Sequence, residues 1–90
     1  MTNEQKLEQI KKMKIVPVVV LNTLEETLPK MQALIDGGLP CAEITFRTAC
    51  AEEAIKLTVQ KFPDMFVGAG TVINRAQCEK AIAAGSKFIV

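Results

Sequence analysis

Four short apolar runs begin near residues 15, 41, 65 and 87, and a segment with helical hydrophobic spacing follows each of the first three. A strand returning every ~22–26 residues, with a helix between, is a tandem βα unit; right-handed crossovers then make the strands parallel and neighbours in sequence order. Two architectures are built from that unit, a closed eightfold barrel and an open doubly wound sheet. No GxGxxG follows the first strand, and Gly68-Ala69-Gly70-Thr71 does not continue as a dinucleotide fingerprint. A polar face on the second strand favours a barrel whose interior opens at the C-terminal mouth. Eight units need roughly 200–250 residues, so about half a barrel is expected here. The sequence therefore reads as one partial (β/α) barrel domain over residues 1–90, ending in or just after a fourth strand. Phe88-Ile89-Val90 would be an apolar edge with no helix over it, which points to an incomplete chain.

Along the chain, Leu7, Ile10 and Met13 predict a helix over 3–13, capped by Thr2 or Asn3 and lying across one end of the domain. IVPVVVL at 15–21 reads as a strand covered on both faces, with a bulge or an unpaired side near Pro17. Thr23 to Glu26 is a capping box opening the next helix, and Pro29 kinks that helix or marks its first turn. Gly37 and Gly38 end it. Thr48 is expected to cap a helix over about 49–61. MFVGAG at 65–70 is the third strand, its Gly68 and Gly70 leaving space for close approach of backbone or ligand. Asn74 with Gln77 makes a second capping box, the helix running to about Ala84 before Gly85, and 87–90 begins the fourth strand.

The second strand carries the chemistry. In CAEITFRT, 41–48, alternation sets Cys41, Glu43, Thr45 and Arg47 on one face and Ala42, Ile44 and Phe46 on the other. An ionised carboxylate among apolar strand residues is costly unless paired or solvated, so Glu43 marks either a site or the exposed face of a two-sided sheet. Other chemistries have little support. A net charge of +1 without a basic cluster gives no reason to expect nucleic acid or a membrane surface as a partner. The four aromatics, all Phe, form no base-stacking platform. Cys41, Cys50 and Cys78 have neither an even count nor CxxC spacing, which fits a reducing compartment and no disulfide or zinc framework. Histidine is absent, so acid/base work falls to carboxylates and lysines. The N-terminus lacks a signal-peptide core and no run approaches a membrane span, so the cytoplasm is the expected location.

EITFRT at 43–48, VGAGTV at 67–72 and AIAAGSKFIV at 81–90 together resemble the first half of bacterial 2-keto-3-deoxy-6-phosphogluconate (KDPG) and 4-hydroxy-2-oxoglutarate (KHG) aldolases. The resemblance extends to the VPVVV strand and the N-terminal helix. It implies a (β/α)8 barrel, usually homotrimeric, that cleaves a small keto-acid substrate to pyruvate and an aldehyde through a lysine Schiff base, with no cofactor or metal. By the same resemblance Glu43 is the general acid/base acting through water, while Arg47 and Thr71 hold the carboxylate of pyruvate. A guanidinium's planar fork of donors suits that task.

The Schiff-base lysine of that family lies on the sixth strand, beyond the four strands read here. A substitute would be a desolvated lysine near a strand C-terminus, since only a neutral amine attacks a carbonyl. Lys14 and Lys87 fall at strand beginnings and the other lysines on helices. The alternative from another class is a non-catalytic half-barrel that associates through its open sheet edges. Another phosphate-handling barrel enzyme is a third reading.

Overall fold

A computed structural model describes residues 1–90 as a parallel sheet with helices on one face only. Helix α1 (Asn3–Met13) precedes β1 (Val18–Val19), α2 (Thr27–Asp36), β2 (Cys41–Thr45), α3 (Ala51–Lys61), β3 (Phe66–Gly70) and α4 (Arg75–Ala84). Strand order is β1-β2-β3, parallel throughout, with Val18 opposite Glu43 and Glu43 opposite Gly68. The fourth strand is represented by a single parallel bridge, Ala69 to Ile89. Around it Lys87 N donates to Val67 O at 2.8 Å and Ala69 N to Phe88 O at 3.0 Å, so 87–90 lie alongside β3 as the βα order requires.

The first strand is shorter than the apolar run that predicts it. Only two of the residues in 15–21 form the strand, because Pro17 has no N–H to give the ladder and supplies only its carbonyl, accepting Glu43 N at 2.8 Å. Nor is that run covered on both faces. Ile15 and Val18 are 62% and 57% exposed, since helices flank one side of the sheet and nothing flanks the other. Helix α1 also departs from expectation: it buries none of its residues, and Leu7 stays 53% exposed. Its order is local, Thr2 Oγ1 accepting from Gln5 N at 3.1 Å while Gln5 Oε1 accepts from Thr2 N at 2.8 Å.

The helix ends follow their capping chemistry with two adjustments. Glu26 accepts from Asn22 N at 2.9 Å and Thr23 N at 3.3 Å, holding a 3-10 turn (Leu24–Glu26) ahead of α2. Those two backbone donors keep the Glu26 carboxyl below its ordinary value. Pro29 sits in the first turn of α2, where a missing N–H costs little. At the other end Gly38 adopts φ 87°, with Leu39 N bonded to Leu34 O and Gly38 N to Ile35 O, the Schellman arrangement. Thr48, however, does not cap α3. Its hydroxyl lies 3.4 Å from Cys50 Sγ, residues 46–50 turn before the helix begins, and Cys50 takes the cap position without a side-chain acceptor. In α4 Asn74 Oδ1 accepts from Gln77 N at 2.9 Å, whereas Gln77 reaches one residue further back than a capping box, to Ile73 N.

The core lies between the sheet and α2, α3 and α4. Ala42, Ile44, Val67 and Ala69 from the strands meet Met31, Ala51, Ala54, Ile55, Ala81 and Ala84 from the helices. The alternate residues, Glu43 and Thr45 on β2 and Phe66, Gly68 and Gly70 on β3, face the other way. Cys41 shares that face, its buried thiol donating to Ile15 O at 3.3 Å, and burial pushes its pKa up. No helix is long and apolar enough to cross a membrane.

Candidate active site

Parallel strands deliver all their C-terminal ends to one rim, and Glu43, Arg47 and Thr71 approach that rim from two adjacent strands. Arg47 lies in the turn just after β2, and Thr71 directly follows β3. The two meet: Arg47 Nε donates to Thr71 Oγ1 at 3.3 Å. One donor of the guanidinium is thereby fixed, and the side chain remains exposed, its other donors free for a planar acceptor. A small carboxylate bound here would find a guanidinium and a hydroxyl already oriented.

Thr71 is held in place at a conformational cost. Its φ is 55°, in the left-handed region, where a β-branched residue is a genuine outlier costing of order 1–3 kcal/mol. Relieving it should stabilise the fold. Thr71→Gly is expected to gain about 1 kcal/mol net of glycine's extra unfolded-state entropy, read as a higher melting temperature. A lower melting temperature would show that no strain resides at this position.

Glu43 lies four residues before Arg47, within β2, half-buried, and its carboxylate is laid across Gly70. It forms no ion pair with Arg47; the four ion pairs of the chain are all on helix surfaces. This end of the sheet thus holds a carboxylate in no ion pair and a guanidinium with one donor fixed on Thr71 and the others free. Sequence reasoning missed two further features. Thr45, between Glu43 and Arg47, is fully buried with an unpartnered Oγ1, which alternation alone does not reveal. The space over Gly68 and Gly70 is entered by side chains, Phe88 over Gly68 and Glu43 over Gly70.

The lysines sit where chain position suggests, with one refinement. Lys87 Nζ donates to Pro63 O at 3.3 Å and Met65 O at 3.2 Å, anchored at the N-terminal rim, away from Glu43. Lys14 caps α1 ahead of β1, on that same side. Lys80 on α4 is different. It is exposed, but lines an open pocket together with Arg47, Thr48, Glu52 and Gln77.

Residues 7–90 match the family described as KDPG and KHG aldolase. This chain belongs to that family. The 2-dehydro-3-deoxy-phosphogluconate aldolase of Dickeya dadantii is 49% identical over 76 residues, covering 84% of this chain and 36% of the relative. Its counterpart in Treponema pallidum is 43% identical over 83 residues, covering 92% of this chain and 40% of the relative. Among solved structures, the KDPG aldolase from Legionella pneumophila with pyruvate captured as a covalent carbinolamine intermediate superposes with a TM-score of 0.79 at 43% identity, over 82% of this chain and 36% of that one. The chain thus spans about two fifths or less of the length of these family members. Family membership makes the βα ladder part of a (β/α)8 barrel, here three parallel strands and a bridged fourth rather than a closed barrel. The family is one of lyases.

Proposed function

We propose that the intact protein is a class I aldolase that cleaves KDPG or KHG to pyruvate and an aldehyde through a lysine Schiff base, with the lysine outside residues 1–90. The observation that carries this reading is the Arg47 to Thr71 hydrogen bond at the rim, with the Glu43 carboxylate over Gly70, the residue before Thr71. The lysine amine adds to the substrate's keto carbon and water leaves, giving an iminium. Glu43, through a water, takes the proton of the C4 hydroxyl as the C3–C4 bond breaks; its electrons pass to the iminium nitrogen as an enamine, and the aldehyde departs. The same carboxyl returns a proton to C3, and hydrolysis frees pyruvate. Arg47 and Thr71 hold the C1 carboxylate throughout, so the bond that breaks stays aligned with the nitrogen.

The same reading makes the protein a bacterial cytoplasmic enzyme of carbohydrate metabolism, acting in the Entner-Doudoroff route as a homotrimer. Its support is family membership together with the carboxylate of Glu43 and the Thr71-bonded guanidinium of Arg47 toward the rim. Supplying KDPG or KHG to the intact protein and following pyruvate tests it. Turnover on at least one of the two is expected, unaffected by a chelator, because the electron sink is an iminium and not a metal ion. No pyruvate from either, or turnover lost on chelation, would contradict the proposal.

A further inference from the structure

Gly70 closes β3 on the face that carries Glu43, and its backbone gives no reason for a glycine. The glycines with positive φ are Gly38 and Gly85, so Gly70 keeps dihedrals open to any L-residue. Space is the reason. A Cβ at Gly70 would fall 2.6 Å from Glu43 Cδ, 2.8 Å from Cγ and nearer still to Oε2. Non-bonded carbons sit at about 3.5–4.0 Å, so Glu43 in this position and a side chain at 70 exclude each other.

The direction of Glu43 has a second determinant. In register Glu43 faces Gly68, and Thr45 faces Gly70. The space over Gly68 is taken by the Phe88 ring, itself stacked on Phe66 with centroids 5.2 Å apart. Glu43 is therefore turned from its direct partner and laid over the next glycine, toward the rim where Arg47 meets Thr71.

We infer that Gly70 is a positioning residue for the reaction: its missing side chain is the berth that holds the Glu43 carboxylate at the rim. The inference rests on the proposed role of Glu43 for its catalytic consequence, but not for its steric content. In the intact protein Gly70→Ala should lower kcat by at least about tenfold, as misplacement of a reacting group by ~1 Å does, with KM within about threefold because Arg47 and Thr71 are untouched. The acid limb of the pH–rate profile should move with it, a change that simple loss of folded protein would not produce.

A stability cycle separates the berth from the chemistry. Gly70→Ala should depress the melting temperature by more than about 4 °C with Glu43 present, and by less than about 2 °C in a Glu43→Ala background, where the space is free. If the single variant does not fold, the double variant should, melting near Glu43→Ala. Equal cost in both backgrounds, a double variant that stays unfolded, or wild-type kcat and pH profile in Gly70→Ala would overturn the inference. Should Glu43→Gln leave turnover unchanged while the cycle shows coupling, the functional reading fails and the berth stands.

Discussion

Glu43→Gln in the intact protein is expected to cut turnover by about 10²- to 10⁴-fold, the range that positioned acid/base groups contribute. Glutamine has the shape of glutamate, so it can occupy the same space over Gly70 without disturbing Phe88 or the sheet. What it lacks is the capacity to accept a proton from the C4 hydroxyl and return it to C3. The chain contains no histidine to take over, and a guanidinium offers donors only, with no acceptor for a proton. Substrate binding should change little, since the proposed mechanism gives the hold on the substrate carboxylate to Arg47 and Thr71 and not to residue 43. The effect belongs in kcat, with KM nearly constant. Steady-state pyruvate release across a substrate series measures both. Turnover within about threefold of the parent would remove Glu43 from the mechanism and leave its place on the strand as simple solvation.

The order and direction of the strands were legible because helical spacing follows each of the first three apolar runs, and crossover handedness leaves one arrangement. The face assignment followed from alternation: Ala42 and Ile44 lie in the core with the helices, and Glu43 is turned away. Chain periodicity did not reveal how much of 15–21 would pair, because strand length depends on a partner's donors and Pro17 withholds one. Thr48 reads as a cap by residue type, yet its hydroxyl is turned to Cys50 by the tightness of the β2–α3 turn, a geometry set by the fold. Helix α1 shows a periodic stripe of only three apolar residues, and in these 90 residues nothing packs on it closely enough to bury one.

The candidate site was legible as residue types on and just beyond two strands, and as a resemblance to a known family; its geometry was not. Arg47 bridges to Thr71, a β-branched residue at positive φ, and no propensity predicts that backbone there. That Gly70 is occupied by the Glu43 carboxylate depends on a ring eighteen residues further on. Both facts concern contacts between strands, and a strand's own sequence specifies its face far better than its neighbours.

The placement of the nucleophile follows from the same contacts. A lysine that attacks a carbonyl must do so as the neutral amine, which desolvation or a neighbouring cation favours. Lys87 is tied to carbonyls on the far rim, Lys14 precedes β1 on that side, and Lys80, though beside Arg47, is exposed. None of these combines desolvation with a place over the Glu43 face. Borohydride trapping of the intact protein with pyruvate, followed by peptide mapping, tests this directly. The expected result is a stoichiometric pyruvyl adduct on a single lysine that is none of those within residues 1–90. An adduct on a lysine of these residues, with Lys80 the first to inspect, or no adduct at all, would contradict the account.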